Sequence, residues 1–402
     1  MRTLSLAKIA VIGAVGALAL SACSNSSSGN SSGLTNGGGG GSSANSSGGT
    51  YTIAFQGPLS GDNQQLGINE VNGVQLAIDQ ANKSGNLGFT LKLLKADDQG
   101  DPSKAPAAAA QVLQDNTVVG VIGPSFSGAT KAVGKTYGAA GVAMISPSAT
   151  NPSLSTLGFQ TFHRIIPSDN VEGTQAADWL AKKTKKIYVV DDLSDYGKGV
   201  ADAVQKEAQT KGVTVVRTGV DAKTTDYSAA AAAVKGSGAG ALFYGGYDAQ
   251  AALFAKALNA VGYTGIKIGG NGIKSSVFTK QAGTAGNGWY FSCGCLDATT
   301  APAAKDFAAA YQAAFNTPPS TYSPEAYDAT NALIAAMKAA KSKGSITKSS
   351  VEDAVNNLDY QGITTEVKFE SNGEVVATAQ TVNLFTQKDG NIVLIGNIKD
   401  QN

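Results

Sequence analysis

Two hydroxyl-rich segments hold the side chains best suited to chemistry in this chain. Ser127 follows the apolar run at 118–122. Ser148 and Thr150 follow the next apolar run, at 142–145. Hydroxyl groups and the free N–H groups of a helix start suit a small anion such as a carboxylate. Because the same side chains would also serve as helix caps and turn residues, the pattern predicts a carboxylate site and leaves a purely structural role open.

No catalytic motif is complete in this sequence. Ser125 comes close to the G-x-S-x-G nucleophile motif, but Ser127 stands where the last glycine belongs. His163 is the single histidine, and no acidic residue lies between Ser125 and His163, so the hydrolase order of serine, acid and histidine is missing. A single histidine also excludes two-histidine metal sites, and dinucleotide and phosphate-loop fingerprints are absent from the sequence. We expect a protein that is not an enzyme and that needs no metal or cofactor.

The charge balance argues against nucleic acid as a partner. The chain of 402 residues carries 31 Lys and Arg against 30 Asp and Glu. A protein that binds nucleic acid neutralises phosphates with an excess of Lys and Arg. The length and the 42% of hydrophobic residues are sufficient for two or more folded domains.

Strand-like runs alternate with helical patterns from residue 51 onward. The alternation runs to residue 145 and starts again at residue 186, which predicts two α/β lobes, each a doubly wound parallel sheet covered by helices. The hydroxyl-rich turns then lie at the carboxyl ends of strands, where such sheets bind ligands. The predicted strands are 51–56, 89–95, 118–122, 142–145, 186–190, 213–218, 241–244 and 266–269, and helical patterns lie between them. Helical patterns at 303–315 and 324–341 and strand-like runs at 366–370, 375–385 and 392–398 follow, and periodicity assigns them to neither lobe.

The N-terminal segment has the pattern of an export signal. A basic start and the 14-residue apolar run 9–22 are typical of a signal peptide over residues 1–22 and are too short for a transmembrane helix. The small residues before Cys23 resemble a bacterial lipobox, which implies lipid attachment to Cys23 and anchoring to the bacterial cell membrane, outside the cytoplasm. An ordinary signal peptide with an incidental cysteine is the alternative. The Ser/Gly/Asn-rich residues 23–50 predict a flexible linker.

The other two cysteines, Cys293 and Cys295, are separated by one glycine. Disulfides persist in exported proteins, but a bridge between positions i and i+2 is at the edge of the permitted geometry. The sequence is therefore compatible with either a disulfide between Cys293 and Cys295 or two free thiols.

Eight short motifs in a fixed order give the chain a family resemblance. The motifs lie at residues 57–61, 97–102, 121–127, 144–150, 164–173, 195–197, 244–247 and 322–328. Together they resemble the leucine/isoleucine/valine-binding family of extracytoplasmic solute-binding proteins, which serve ABC importers. The resemblance covers residues 51–402 and implies the type I periplasmic-binding fold, in which two lobes are joined by three crossings. We place lobe 1 at 51–168 and 298–376, and lobe 2 at 169–297 and 377–402.

The resemblance also implies which residues bind the ligand. The first-lobe hydroxyl turns would hold a ligand carboxylate, and tyrosines of the second lobe would cover the ligand. The positions that match the family site are Ser127, Ser148, Ala149, Thr150, Tyr196, Tyr247, Asn271 and Tyr327.

Three departures from the family pattern bear on the ligand. Asn271 stands where members that bind α-amino acids commonly carry an acid for the ligand ammonium. Asp195 or Glu325 would then have to serve the ammonium, or the ligand has none. Leu66 replaces a family tyrosine, and the cysteines of the family's first-lobe disulfide are replaced here by Gly100 and Phe126.

The resemblance implies a lipid-anchored substrate-binding protein of an ABC importer. It would bind a branched-chain or related amino acid in the cleft between the lobes and deliver it to the permease subunits. One alternative is the same fold binding an amide or a carboxylate without an amino group. A second is a module that senses a ligand for a signalling partner.

Overall fold

The computed structural model describes residues 48–402. The predicted signal peptide of residues 1–22, the predicted lipid-attachment residue Cys23 and most of the 23–50 linker lie outside the described residues. Within 48–402, no helix is both long enough and apolar enough to cross a membrane.

The first half of the described chain forms a sheet of five parallel strands. Its elements are β1 (Thr50–Gly57), α1 (Gln64–Lys83), β2 (Thr90–Asp97), α2 (Ala105–Gln114), β3 (Val118–Ile122), α3 (Ser127–Ala139), β4 (Ala143–Ser146) and β5 (Phe162–Arg164). The strand order is β2-β1-β3-β4-β5. Ile53 belongs to the apolar cluster on one face of the sheet and its neighbour Ala54 to a cluster on the other face. Every residue of β3 is buried, as a strand covered on both faces requires.

The second sheet has seven strands and begins after the helix α4 (Asp169–Ala181). Its elements are β6 (Lys186–Asp191), α5 (Asp195–Thr210), β7 (Thr214–Gly219), α6 (Ser228–Gly236), β8 (Ala241–Gly245), α7 (Asp248–Ala260), β9 (Ile266–Gly269), α8 (Ser276–Ala282) and β10 (Trp289–Cys293). Val189 and Val190 are buried in different apolar clusters, so this sheet is also covered on both faces. The two sheets confirm the predicted α/β class of two doubly wound lobes.

The C-terminal segment returns to both sheets. The helices α9 (Lys305–Phe315), α10 (Ser323–Ser342) and α11 (Lys348–Asn356) pack beside the first sheet, where α10 contacts α1 and α11 contacts β3. Two short strands, β11 (Tyr360–Gln361) and β12 (Glu366–Val367), form a separate antiparallel pair. The last strands, β13 (Asn383–Lys388) and β14 (Asn391–Asn397), complete the second sheet in the order β14-β13-β10-β9-β8-β6-β7.

The C-terminal part of the second sheet differs from the sequence predictions in two respects. The second sheet is mixed, because β13 runs antiparallel to both β10 and β14. A two-residue turn at Asp389 and Gly390, both with positive φ, joins β13 and β14 as a hairpin. The predicted strand at 375–385 is strand only from residue 383, because the preceding residues run between the sheets without a continuous neighbour.

The chain passes between the two sheets three times, in the segments 164–186, 293–305 and 356–383. The predicted crossings near residues 168, 297 and 376 fall within these segments. The lobe boundaries themselves stay a prediction.

Candidate ligand-binding site

The turns after β3 and β4 are locked together at the carboxyl edge of the first sheet. The Gly123 N–H donates to the Ile145 carbonyl oxygen at 3.0 Å. The Ser146 hydroxyl donates to the Pro124 carbonyl oxygen at 2.8 Å. The Ser148 hydroxyl donates to the neighbouring Ser125 carbonyl oxygen, also at 2.8 Å. The adjacent parallel strands therefore bring the two predicted hydroxyl turns into one rigid unit.

Ser127 and Thr150 do not act as ordinary caps in this unit. Ser127 is the first residue of α3, and its hydroxyl oxygen accepts a hydrogen bond from the Asn151 N–H at 3.2 Å. The Thr150 hydroxyl is buried and has no hydrogen-bond partner among residues 48–402. A buried hydroxyl without a partner costs about 1–3 kcal/mol, which a bound ligand would recover.

Arg164 supports the Thr150 turn from within the lobe. Its guanidinium is fully buried and donates to the carbonyl oxygens of Ala149 at 3.1 Å and Asn151 at 2.8 Å. Glu374 accepts a third hydrogen bond from Arg164 Nε at 2.8 Å. The backbone on both sides of Thr150 is thereby held in place before any ligand binds.

Asp169 is a candidate site residue that could not be assigned from the sequence. It begins α4, and its N–H donates to the Thr150 carbonyl oxygen at 2.8 Å. Both of its carboxylate oxygens are buried and have no hydrogen-bond partner in the described part of the chain. Burial, together with the charge of Glu172, raises the pKa of Asp169 well above its ordinary value, while the nearby Thr150 hydroxyl lowers it. A buried carboxylate in this state is suited to a cation such as an ammonium group.

Tyr196, Tyr247 and Asn271 come together at the carboxyl edge of the second sheet. The rings of Tyr196 and Tyr247 lie 5.2 Å apart between centroids. The Tyr196 hydroxyl oxygen accepts a hydrogen bond from the Gly272 N–H at 2.9 Å. A side-chain carbon at Gly272 would lie 2.6 Å from the Tyr196 ring, so this close approach requires glycine.

A buried hydrogen-bond network occupies every polar group of the Asn271 side chain. The backbone N–H and side-chain Nδ2 of Asn271 donate to the Glu172 carboxylate at 2.9 and 2.6 Å. The Tyr322 hydroxyl donates to Asn271 Oδ1 at 2.8 Å, and the Ser292 hydroxyl donates to Glu172 at 2.9 Å. Burial raises the pKa of Glu172 to about 7, although these hydrogen bonds oppose the rise. Position 271 therefore lacks an acid, but the Glu172 carboxylate contacts it directly.

The two acids suggested by the sequence are engaged elsewhere. Asp195 forms an ion pair with Lys131 at 2.7 Å in a partly exposed position. Glu325 accepts a hydrogen bond from the Leu296 N–H at 2.7 Å. Burial raises the pKa of Glu325 to about 7, and the nearby charge of Lys274 opposes the rise. The acid beside Thr150 is Asp169, since three-dimensional proximity and not chain order decides which carboxylate lies at the turn.

Tyr327 is not brought together with the other predicted site residues. Its hydroxyl donates to Gln80 of α1 at 2.7 Å, and its ring packs 4.9 Å from that of Phe307 in α9. Tyr322, which immediately precedes α10, contacts Asn271 instead. The two tyrosines are separated because the chain turns into α10 between them, and a ligand contact by Tyr327 stays a prediction.

Two further expectations concern cysteines and metals. Cys293 and Cys295 are joined by a disulfide in the structure, with their Cα atoms 5.1 Å apart. In the part of the chain that the structure describes, no group of three His, Cys, Asp or Glu residues is arranged to hold a metal ion.

Comparison with known proteins gives consistent relatives over nearly the whole described chain. Residues 50–391 match the family described as periplasmic binding protein. A Leu/Ile/Val-binding protein homologue from Brucella melitensis is 31% identical over 321 residues, covering 77% of this chain and 86% of that protein. The Leu/Ile/Val-binding protein BraC3 from Rhizobium johnstonii is 31% identical over 347 residues, covering 85% of this chain and 93% of that protein.

Solved structures share the fold. A leucine-binding protein from Thermotoga maritima matches with a TM-score of 0.80 at 23% identity, over 87% of this chain and 99% of that chain. A branched-chain amino acid transporter substrate-binding protein from Streptococcus pneumoniae, in complex with isoleucine, matches with a TM-score of 0.78 at 26% identity, over 86% of this chain and 99% of that chain. The family match, the relatives and the shared fold show that the chain belongs to the Leu/Ile/Val-binding family of periplasmic binding proteins, which work outside the cytoplasm.

Proposed function

We propose that this protein is the substrate-binding component of an ABC importer and binds a branched-chain or related α-amino acid between its two lobes. The proposal rests chiefly on Thr150 and Asp169. Both side chains are buried, the Thr150 hydroxyl lies close enough to Asp169 to lower its pKa, and neither side chain makes a hydrogen bond within 3.5 Å among residues 48–402. An α-amino acid carries an ammonium and a carboxylate on adjacent carbons, so its site needs a cation-binding group next to an anion-binding group.

The anion-binding half is formed by the first-lobe turns. Ser127 begins the 13-residue helix α3, whose first N–H groups have no partners within the helix itself. The N-terminus of a helix favours a negative charge by about 0.3–1 kcal/mol. The ligand carboxylate binds there, between the start of α3 and the turn that contains Ser148, Ala149 and Thr150.

The cation-binding half is Asp169. An ammonium group at its carboxylate would supply the hydrogen bonds that both oxygens lack. It would also neutralise a charge that is otherwise costly to bury. This role favours an amino acid over the alternatives of an amide or a carboxylate without an amino group.

The apolar residues around the proposed ligand site suit an aliphatic ligand side chain. Leu66, Phe126 and Tyr322 belong to one buried apolar cluster, and Tyr247 packs against it. The Brucella and Rhizobium relatives are named for leucine, isoleucine and valine, and the Streptococcus structure contains isoleucine. These names support a branched-chain ligand for this chain.

The site has features of binding rather than catalysis. His163, the single histidine, is buried, and its Nε2 lies 3.2 Å from Asn356 Oδ1. Burial lowers the pKa of His163, which favours its neutral form. We infer that it is structural and that the protein delivers its ligand unchanged to permease subunits.

Titration calorimetry with three matched ligands tests the proposed site. Wild-type protein should bind leucine, and it should bind leucinamide and 4-methylpentanoate at least a hundredfold more weakly. Leucinamide lacks the carboxylate and 4-methylpentanoate lacks the ammonium, so each analogue removes one half of the recognition. Equal affinity for 4-methylpentanoate and leucine would refute the ammonium site and favour a carboxylate ligand without an amino group.

The lipid anchor is a separate part of the proposal. The predicted attachment residue, Cys23, follows the signal-peptide pattern in the sequence. Cys23→Ala should release the protein from the membrane fraction or leave its signal peptide uncleaved. A correctly processed variant that stays in the membrane fraction would exclude lipid attachment at Cys23.

A further inference from the structure

Phe126 of the first lobe stacks on Tyr247 of the second. Their ring centroids lie 4.2 Å apart, and the ring planes differ by 19°. Phe126 is 5% exposed and immediately precedes Ser127, so its backbone adjoins the proposed carboxylate site. The stack joins the two lobes at the edge of that site.

The Phe126 ring is confined on its first-lobe side. A side-chain carbon at Gly100 would lie 2.6 Å from the ring, and Gly100 has a φ of +69°, which favours glycine. The Phe126 ring therefore packs directly against the backbone of Gly100. Leu66 is buried in the same apolar cluster as Phe126. With neighbours on these sides, the ring cannot swing aside without losing packing.

An open groove borders the stacked pair. The groove has a volume of about 470 Å³ and is lined by both rings and by residues of both lobes. Its charged lining residues are Asp62, Asp101, Asp195 and Lys223. Asp195 is paired with Lys131, so two further carboxylates, Asp62 and Asp101, face the Lys223 ammonium and leave the groove favourable for a cationic group.

We propose that the Phe126 ring closes the ligand side-chain pocket against this groove and thereby limits the bound amino acid to a small or branched aliphatic side chain. This inference rests on the proposed function. Aromatic or long side chains would need the space that the ring occupies. Truncation of the ring would join the pocket to the groove and admit them.

Affinity ratios measured by titration calorimetry test the size limit. In Phe126→Ala, the ratio of the dissociation constant for phenylalanine to that for valine should fall at least tenfold relative to wild type. Phe159→Ala is the matched control, since Phe159 packs near Phe162 in the first lobe and does not line the groove. The control should keep the wild-type ratio. A ratio unchanged in folded Phe126→Ala would overturn the inference.

A second ligand pair tests the connection to the groove. In Phe126→Ala, arginine should gain at least fivefold more affinity than citrulline, because the groove carboxylates attract only the charged side chain. Equal gains would overturn the claim that the ring separates the site from this groove. If Phe126→Ala fails to fold, Phe126→Leu replaces it. The ratio of the dissociation constants for phenylalanine and valine should then fall at least threefold relative to wild type. Absence of amino-acid binding by wild type would instead refute the proposed function, so the two failures are distinguishable.

Discussion

Asp169 and Glu172 lie three residues apart in the first turn of α4, and each contacts a different side of the proposed site. The Asp169 N–H donates to the Thr150 carbonyl oxygen, and the Glu172 carboxylate accepts two hydrogen bonds from Asn271. Glu172 therefore has its partners, whereas the Asp169 carboxylate has none within residues 48–402. One helical turn links both lobes of the site and leaves one carboxylate available to a ligand.

Asp169→Asn should weaken leucine binding at least a hundredfold. The neutral amide keeps the shape of the side chain but removes the charge that pairs with the ammonium, and an ammonium buried without its partner costs about 3–5 kcal/mol. Titration calorimetry on the folded variant gives the change. Asp178→Asn, on the same helix but in a partly exposed ion pair with Lys211, should bind like wild type. Full affinity in Asp169→Asn would exclude Asp169 as the ammonium partner.

Ligand binding should release a proton from Asp169. Burial raises the pKa of Asp169 in the free protein, and a bound ammonium would lower it again. Affinity should therefore rise with pH between these two pKa values and be lost as the pH falls through that range. Calorimetry in two buffers of different ionisation enthalpy measures the released protons. The release should disappear in Asp169→Asn, and a release that persists there would point to another group.

Thr150→Val and Ser127→Ala should each weaken leucine binding about ten- to a hundredfold. A hydrogen bond to a charged group contributes roughly 1.5–3 kcal/mol, and we expect both variants to fold like wild type. Ser153→Ala is the matched control, because it removes a nearby hydroxyl that donates to the Asn151 side chain at 2.6 Å. That control should keep wild-type affinity in titration calorimetry. Unchanged binding in both site variants would return the two hydroxyls to a structural role.

Asn271→Asp should destabilise the protein by about 3 kcal/mol at pH 8 and by less at pH 5. The new carboxylate would lie against Glu172, whose oxygen is 2.6 Å from Asn271 Nδ2. Two buried carboxylates at this distance retain a shared proton that the unfolded chain releases, and holding that proton costs more free energy at pH 8 than at pH 5. Urea unfolding at both pH values measures the difference.

A double variant separates charge repulsion from other effects of Asn271→Asp. Glu172→Gln in the Asn271→Asp background restores one donor and one acceptor across the pair. It should recover most of the lost free energy of unfolding at pH 8. No recovery would mean that position 271 is destabilised by something other than the Glu172 charge.

Glu70→Gln should change how stability depends on pH. Glu70 is fully buried, and burial raises its pKa from 4.5 to about 8. Since the folded protein holds this proton more tightly than the unfolded chain, Glu70 makes the free energy of unfolding fall between pH 4.5 and 8 by about 1.4 kcal/mol per pH unit. The variant lacks this loss. Its free energy of unfolding, relative to that of wild type, should therefore rise by about 2–4 kcal/mol between pH 5 and pH 8.

Urea unfolding of both proteins across this pH range checks the Glu70 prediction. Asp79→Asn, an exposed change on the same helix α1, should follow the wild-type curve. Parallel curves for wild type and Glu70→Gln would show that Glu70 is ionised in the folded protein.

The sequence alone determined most of the elements and the position of the hydroxyl-rich turns. Apolar periodicity and turn residues act over a few neighbouring positions, so β3 and β4 could be predicted from their own residues. Parallel pairing then requires their carboxyl ends to meet, which brings Ser127 and Thr150 to one edge of the sheet. The order of the family motifs added the second-lobe residues Tyr196 and Tyr247.

Only the tertiary structure decided which acids lie beside the candidate site. Glu172 and Asn271 are separated by 99 positions, and no local pattern predicts that they bond. Likewise, Tyr322 and Tyr327 share a motif, yet only Tyr322 contacts Asn271, because it precedes the helix to which Tyr327 belongs. Whether a carboxylate is buried without a partner, as Asp169 is, depends on side chains from several distant segments. That information exists only once the chain has packed.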